Sequence, residues 1–527
     1  MLRPLLLKYV SMIIITFLYF NCTKTYDIVL RNGTVIDGTG EARYDADIGI
    51  MNGAIEDIGN LDDVKGTLII DAQGKYIVPG FIDMHTHGDR NIVSEDRKQA
   101  INYLMQGVTT IVTGNCGGGT YNVAEYFEQM ESQGIGLNVV HLVGHGTVRS
   151  EVMGNADREP SPEEMGKMLA LIERAMQEGA AGMSTGLFYA PGSFAKTDEV
   201  IRLSGIVKQY GGFYATHIRD ESNYTIGLKA SIQEALEIGE KSGVPVQISH
   251  IKALGKPVWG SAREICGLIE AAQERGVIVY ADQYPYTASS TNLTAAVIPR
   301  WVQADGQLRE RLNNEDLLPV ILRETAGNIE RRGGPETLVL ASFGRNPEWE
   351  GRSLMEISAL LGMDPASAAV ELVKMGSPGI ISFNMTDEDV EYFMKKPYVM
   401  TGSDGSIPRL GEGKPHPRSY GTFPRKIRFY VFEKGVISLE QAVRAATGLP
   451  AEMLGFRKRG LINTGYTADV VIFDPESLRD IATFSNPHQY STGIEFVIVN
   501  GEIAVGKGEY TGALSGKPVR GHSDKYN

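Results

Sequence analysis

The 527 residues include only three cysteines, Cys22, Cys116 and Cys266, too few for a disulfide framework, so the fold must rest on its apolar core. Positive charge is also in deficit. The 51 Lys and Arg face 64 Asp and Glu, for a formal net charge of -13. That balance argues against non-specific nucleic-acid binding and favours a soluble enzyme or binding protein. No internal repeat or low-complexity tract interrupts the chain, whose length suits one large domain plus a smaller one.

Long apolar runs are missing except for a short one at the start. "MLRPLLLKYVSMIIITFLYFNC" has basic Arg3 and Lys8, an apolar run from Tyr9 to Phe20, and Cys22 directly after it. The run is too short for a comfortable membrane span and has the order of an export signal. A cysteine in that place resembles a bacterial lipoprotein signal, in which Cys22 becomes the lipidated first residue. The expected location is then the bacterial periplasm, either free or as a membrane-anchored lipoprotein. The preceding "LYFN" lacks the small residues of that pattern, so simple secretion and an uncleaved anchor stay open. Residues 1–25 are set aside as this signal-type segment.

What the chain does have is regular. Residues 26–78 read as short strands, with Asn32-Gly33 and Asn52-Gly53 as dipeptides that favour tight hairpin turns. Residues 456–515 have the same texture, with Asn500-Gly501 as another turn. The two ends are expected to build one small β-sandwich domain. Between them, residues 79–455 alternate helix patterns with eight short apolar runs, from "FIDMHTH" to "YVMTGSDG". Eight strands alternating with helices predict an α/β fold, a (β/α)8 TIM-like barrel whose active site lies at the C-terminal strand ends. One connection, residues 289–397, is far longer than a βα loop needs and carries helical patterns of its own. It is expected to be an inserted lid subdomain.

Polar residues that do not belong in buried strands fall at the ends of those runs. The first ends in His85 and His87, the second in Cys116 within "GNCGGG". The fifth carries His217, the sixth His250 and the eighth Asp404 in "GSDG". Each alone has a dull explanation, such as a core residue or a helix cap. Together they form a ring of N, S and O donors suited to zinc. Zinc with an open position makes hydroxide available at neutral pH and polarises a carbonyl oxygen. Asp404 reads as the one strand-end carboxylate placed to take a proton from water and return it to a leaving group. The implied reaction is hydrolysis of an amide or an ester.

"PGFIDMHTH", followed by the later histidines and aspartate, resembles the amidohydrolase superfamily. The strings "GNCG", "STGLFYAPG", "THIRDES", "SHIKALG", "DQYPYTASST" and "HPRSYGTFPR" are similar to the D-aminoacylase (N-acyl-D-amino-acid deacylase) family, over about Tyr26 to Thr511. That resemblance implies a tight zinc on Cys116, His217 and His250, and a second, weaker site at His85 and His87 with Cys116 bridging. It implies hydrolysis of N-acyl-D-amino acids, with Lys252, Tyr284 and Arg418 gripping the substrate carboxylate. Many amidohydrolases bridge two metals through a carbamylated lysine on the fourth strand, but "AAGMSTGL" contains none. This departure favours the aminoacylase branch over a cyclic-amide hydrolase. A dipeptidase acting on C-terminal D-residues and a catalytically silent scaffold are the rival readings.

Three further residues are candidates from position. Phe188 and Tyr189, after the fourth run, suit an acyl pocket or ordinary core packing. His145 ends the third run beside glycines, where a ligand contact and a structural hydrogen bond are equal readings. Tyr284 and Tyr286 are interchangeable by position.

Overall fold

The computed structural model describes residues 24–521; the signal-type segment with Cys22 falls almost wholly outside them. Its centre is a sheet of eight parallel strands in sequential order. They are β1 (Phe81–Asp83), β2 (Val108–Thr113), β3 (Asn138–Gly144), β4 (Gly182–Gly186), β5 (Phe213–His217), β6 (Val246–Ile248), β7 (Val279–Gln283) and β8 (Val399–Thr401). Nearly every residue in them is buried, as a parallel sheet covered on both faces requires. The ring closes where β8 returns to β1. Asp404 N–H donates to His85 O at 2.8 Å and His87 N–H to Gly405 O at 2.7 Å, just past the strand ends.

Helices wrap the outside for reasons visible in the sequence. Pro162–Gln177 starts with a capping box, in which the Ser161 hydroxyl accepts from Glu164 N–H and the Glu164 carboxylate accepts from Ser161 N–H. It buries Met165, Met168, Ile172, Ala175 and Met176, a single stripe at helical spacing turned toward the barrel. The barrel interior is filled away from the site by Ile82, Met84, Val112, Val140, Leu142, Phe213 and Met400. Val519 joins that cluster, and residues 516–518 bridge to Ile135 and Val139, so the C-terminal tail helps close this end. With the interior packed, the other end is left for chemistry.

The two chain ends meet in one nine-stranded sheet, where Tyr76–Pro79 pairs with Val470–Phe473. Ile28, Leu30, Ile48 and Ile50 from one end share a core with Val470, Ile472 and Ile498 from the other. Asn52-Gly53 and Asn500-Gly501 are tight hairpin turns with positive φ at both residues. Asn32-Gly33 is not. The strand Thr25–Val35 runs straight through it, with a bulge between Leu30 and Gly33. Asn32 takes φ 60° there and gives its N–H to Asp47, and a Cβ on Gly33 would lie 2.3 Å from Ile77. The glycine serves a bulge and a close approach rather than a turn.

Between β7 and β8 lies a three-stranded antiparallel sheet of Ala288–Asn292, Gly379–Phe383 and Leu338–Ser342. Helices Leu318–Arg331, Leu354–Leu361 and Pro365–Met375 pack with it around a separate core that includes Leu293, Ile329, Leu340, Leu354 and Leu372. This unit is the lid. It brings Ser289, Thr291, Asn292 and Arg332 to the barrel mouth.

Candidate functional site

Each donor leaves its strand by a sharp turn. His217 is the last residue of β5, while His85, Cys116, His250 and Asp404 lie two or three residues beyond β1, β2, β6 and β8. Cys116, His250 and Asp404 have φ of 53°, 37° and 51°, the left-handed region that non-glycine residues avoid. Such strain persists where the surroundings hold it, and it concentrates at functional sites. Around Cys116 the glycines are steric necessities. A Cβ on Gly114 would lie 2.0 Å from Leu142 O, and one on Gly117 2.9 Å from Gly186 N. The "GNCGGG" run therefore lets the loop press onto β3 and β4 and aim the thiol inward.

The donors converge. Cys116 Sγ lies 3.4 Å from His85 Nε2, 3.6 Å from His217 Nδ1 and 3.6 Å from His250 Nε2. A tetrahedral zinc with ordinary Zn–S and Zn–N bonds holds its sulfur and nitrogen ligands about 3.6 Å apart. Each sulfur–nitrogen spacing fits that ion, and Cys116, His85 and His250 form one group of donors within mutual reach, with His217, Glu221 and His250 forming another. On the other side, Asp404 Oδ1 lies 3.0 Å from His87 Nε2 and 3.7 Å from His85 Nε2, a second cluster of metal-binding character. Asp404 Oδ2 pairs with Arg418 Nη1 at 2.8 Å.

Behind the histidines stand two buried carboxylates that strand-end reasoning missed. Glu221 lies 3.1 Å from His250 Nδ1, 3.7 Å from His217 Nε2 and 2.5 Å from Lys252 Nζ. It thus faces the ring nitrogens opposite those that face Cys116. His250 Nδ1 sits between Lys252 Nζ at 2.7 Å and Glu221 Oε1 at 3.1 Å, so both hold the ring with Nε2 turned toward Cys116, and Glu221 would accept the Nδ1 proton when Nε2 binds an ion. Asp282 accepts from His250 N–H at 2.9 Å and lies 3.5 Å from His85 Nδ1. Asp404 is therefore not the sole strand-end carboxylate, although it is the one of these three that pairs with His87 and Arg418 and borders both cavities. The missed signals were a glutamate four residues after His217 in "THIRDES" and the first residue of "DQYPYTASST".

Electrostatics match this division. Burial pushes the Glu221 carboxyl up, but its contacts, the Lys252 charge first among them, outweigh it and hold it well below its usual range. Burial works against Asp404 too, and Arg418 with His87 holds it ionised. Burial keeps His217 and His85 neutral, the form in which imidazole offers a lone pair. Burial, and then the Asp404 charge, pushes the Cys116 thiol well above its usual range, so a cation beside it is what would make it a thiolate.

Phe188, Tyr189, Lys252 and Tyr284 line a cavity of about 260 Å³ with Cys116, His217 and Asp404. Tyr284 is in the site, whereas Tyr286 packs against His416 and Arg425. Arg418 reaches from an adjoining cavity that shares His87 and Asp404. His145 does not belong to the substrate cavity. Its Nε2 lies 2.8 Å from Glu199 Oε1, and Arg149 pairs with the same carboxylate, so it is part of a buried structural network. The partner is 54 residues away, which the flanking glycines could not reveal.

Residues 68–282 and 378–505 match the Amidohydrolase family, and the gap between them falls in the lid. The chain belongs to that family, in its D-aminoacylase branch. It is 35% identical to a D-aminoacylase of Alcaligenes xylosoxydans xylosoxydans, over 94% of this chain and 98% of the relative. A crystal structure of D-aminoacylase superposes with a TM-score of 0.82 at 34% identity, covering 94% of this chain and all of that one. An N-acyl-D-glutamate deacylase from Bordetella bronchiseptica, solved with zinc and a phosphonate mimic of the tetrahedral intermediate, gives a TM-score of 0.80 at 32% identity, with 94% and 100% coverage. This amidohydrolase is about equally similar to both, so overall likeness does not choose a substrate.

Proposed function

We propose that this amidohydrolase removes the acyl group from N-acyl-D-amino acids, releasing a carboxylate and a free D-amino acid. The observation that carries the reading is the convergence of three histidines on the thiol of Cys116 beside Asp404, in a barrel whose β4 supplies no lysine. Cys116, His217 and His250 would hold a tight zinc, and His85 and His87 a second, weaker one with Cys116 between them. Zinc, when bound, supplies an acidified water and polarises the acyl carbonyl.

The chain's own residues do the rest. Asp404, ionised and bordering both cavities, takes the proton from the attacking water as the new C–O bond forms. It then delivers that proton to the amide nitrogen as the C–N bond breaks, because an amine leaves poorly until protonated. Arg418 can meet the substrate's α-carboxylate in a bidentate way, held in position by its contact with Asp404. Lys252 and Tyr284 complete the grip, the Lys252 ammonium lying 5.7 Å from the Tyr284 ring centroid. Phe188 and Tyr189, edge to face at 5.2 Å, form an apolar wall for the acyl group.

The test is hydrolysis of N-acetyl-D-amino acids and their L-enantiomers by zinc-loaded protein, read as free amine. Turnover of the D-series that stops on chelation is expected. Equal cleavage of both enantiomers, or hydrolysis unaffected by chelation, would overturn the reading. We also propose export to the periplasm with a lipid anchor at Cys22, supported by Arg3, Lys8 and the apolar run before it. Native protein that fails to partition into detergent would overturn the anchor.

A further inference from the structure

The mouth of the cavity carries an arginine cluster that the chemistry above does not use. Tyr224, in the loop after β5, has three guanidinium groups around its ring, Arg331 at 4.6 Å, Arg300 at 5.6 Å and Arg332 at 5.9 Å from the centroid. All three come from the lid. Among the described residues none of them forms an ion pair; their side chains donate instead to Asn223, Phe188 O and Tyr224 Oη. Asp220, whose charge also reaches Arg300, is occupied by the backbone N–H groups of Ser222, Thr225 and Gly227.

Arg332 is the member that faces the chemistry. It lines the cavity with Cys116, His217 and His250 and is only 2% exposed. Its Nε donates to Tyr224 Oη at 2.7 Å, but among the described residues its buried Nη1 has no hydrogen-bond partner, and neither has Nη2 of Arg300. Leaving a buried guanidinium N–H without an acceptor is costly, and like charges gathered around one ring add to the cost. The other charges lining the cavity are balanced. Glu221 faces Lys252, and Asp404 faces Arg418 and His87. Arg332 is the charged lining residue without a counter-charge.

We infer that Arg332 receives a second anionic group on the substrate, beyond the α-carboxylate, with Arg300 and Arg331 reinforcing the local potential. This rests on the hydrolase reading above and narrows it. The favoured substrates are N-acyl-D-amino acids bearing a further carboxylate, on the side chain or on the acyl group. A planar guanidinium fork suits that group, since it binds carboxylate through two parallel N–H bonds.

The experiment uses the full zinc-loaded chain and two matched pairs. N-acetyl-D-glutamate and N-acetyl-D-glutamine differ only in side-chain charge, and N-succinyl-D-leucine and N-butyryl-D-leucine test the acyl position. The charged member of one pair should have the higher kcat/KM, on the order of 100-fold, and the responding pair tells which group Arg332 meets. Arg332→Met should collapse that ratio, and Arg332→Lys, which keeps charge without the fork, should fall between. Equal kcat/KM within both pairs in the wild-type protein overturns the inference and leaves the hydrolase reading standing, whatever the variants' folding. A ratio that survives in folded Arg332→Met overturns it too. Failure to cleave any N-acyl-D-amino acid removes both.

Discussion

The two halves of the donor ring are built differently. The inner half is Cys116, partly exposed at the barrel mouth, with the buried His217 and His250, and Glu221 faces both histidines. The outer half pairs an exposed histidine, His87, with Asp404, which is buried. His87 has 39% of its side chain exposed, and its close partner is Asp404 itself. Histidine donors oriented by a carboxylate behind them suit an ion that must stay put. A carboxylate paired with an arginine and a histidine, and bordering both cavities, suits a group that must accept and return a proton. On the function proposed above, the contrast separates holding from transferring.

The sharpest way to break that contrast is Cys116→Ala. Loss of a partner behind a ligand costs about 10- to 100-fold in metal affinity, so loss of the inner half's only sulfur donor should cost more. Bound zinc should fall away on dialysis and activity should drop to the metal-free level. The barrel should persist, because the left-handed turn at residue 116 is held by Gly114, Gly117 and the strands they press against. Metal analysis beside circular dichroism decides it. Full zinc retention would remove Cys116 from the inner half.

Asp404→Asn should produce the next largest loss. Asparagine keeps the size and an acceptor oxygen but cannot carry the proton. Turnover should fall by between about a hundredfold and ten-thousandfold, in kcat more than in KM. The inner zinc should stay, since Asp404 pairs with His87 and Arg418. A variant with normal kcat and weakened binding would make Asp404 a substrate contact, and the division of labour would fail.

Much of the barrel was legible because its signal is local. A strand covered on both faces must be apolar throughout, so "TTIVT" and "FYATH" stand out, and a histidine or cysteine at the end of such a run is conspicuous. What escaped needed the third dimension. Asn32-Gly33 has the composition of a hairpin turn, and only the strands on either side make it a bulge. His145 has the flanks of a ligand contact, and only Glu199 from a distant helix makes it structural. The left-handed backbone at Cys116, His250 and Asp404 has no sequence mark, since none of them is glycine. Arg332 lies eighty residues from Lys252 and becomes part of the site only when the lid folds over it.

The smallest effect should come from His87→Ala, and it tests whether the halves are separate at all. His87 touches the outer cluster through Asp404 at 3.0 Å and lies edge-on to His85 at 5.3 Å between ring centroids. It makes no contact with the inner sulfur comparable to those of His85, His217 and His250. Removing it should abolish the weaker second zinc while the first binds with nearly unchanged affinity. The Asp404 carboxylate keeps Arg418, so it stays ionised and able to accept a proton. Turnover should therefore change by less than about tenfold, below the range for losing a general acid–base. Zinc titration followed by activity at one equivalent reads both quantities. If His87→Ala released both ions together, the donors would form a single coupled cluster, and the division into two halves would have no functional meaning.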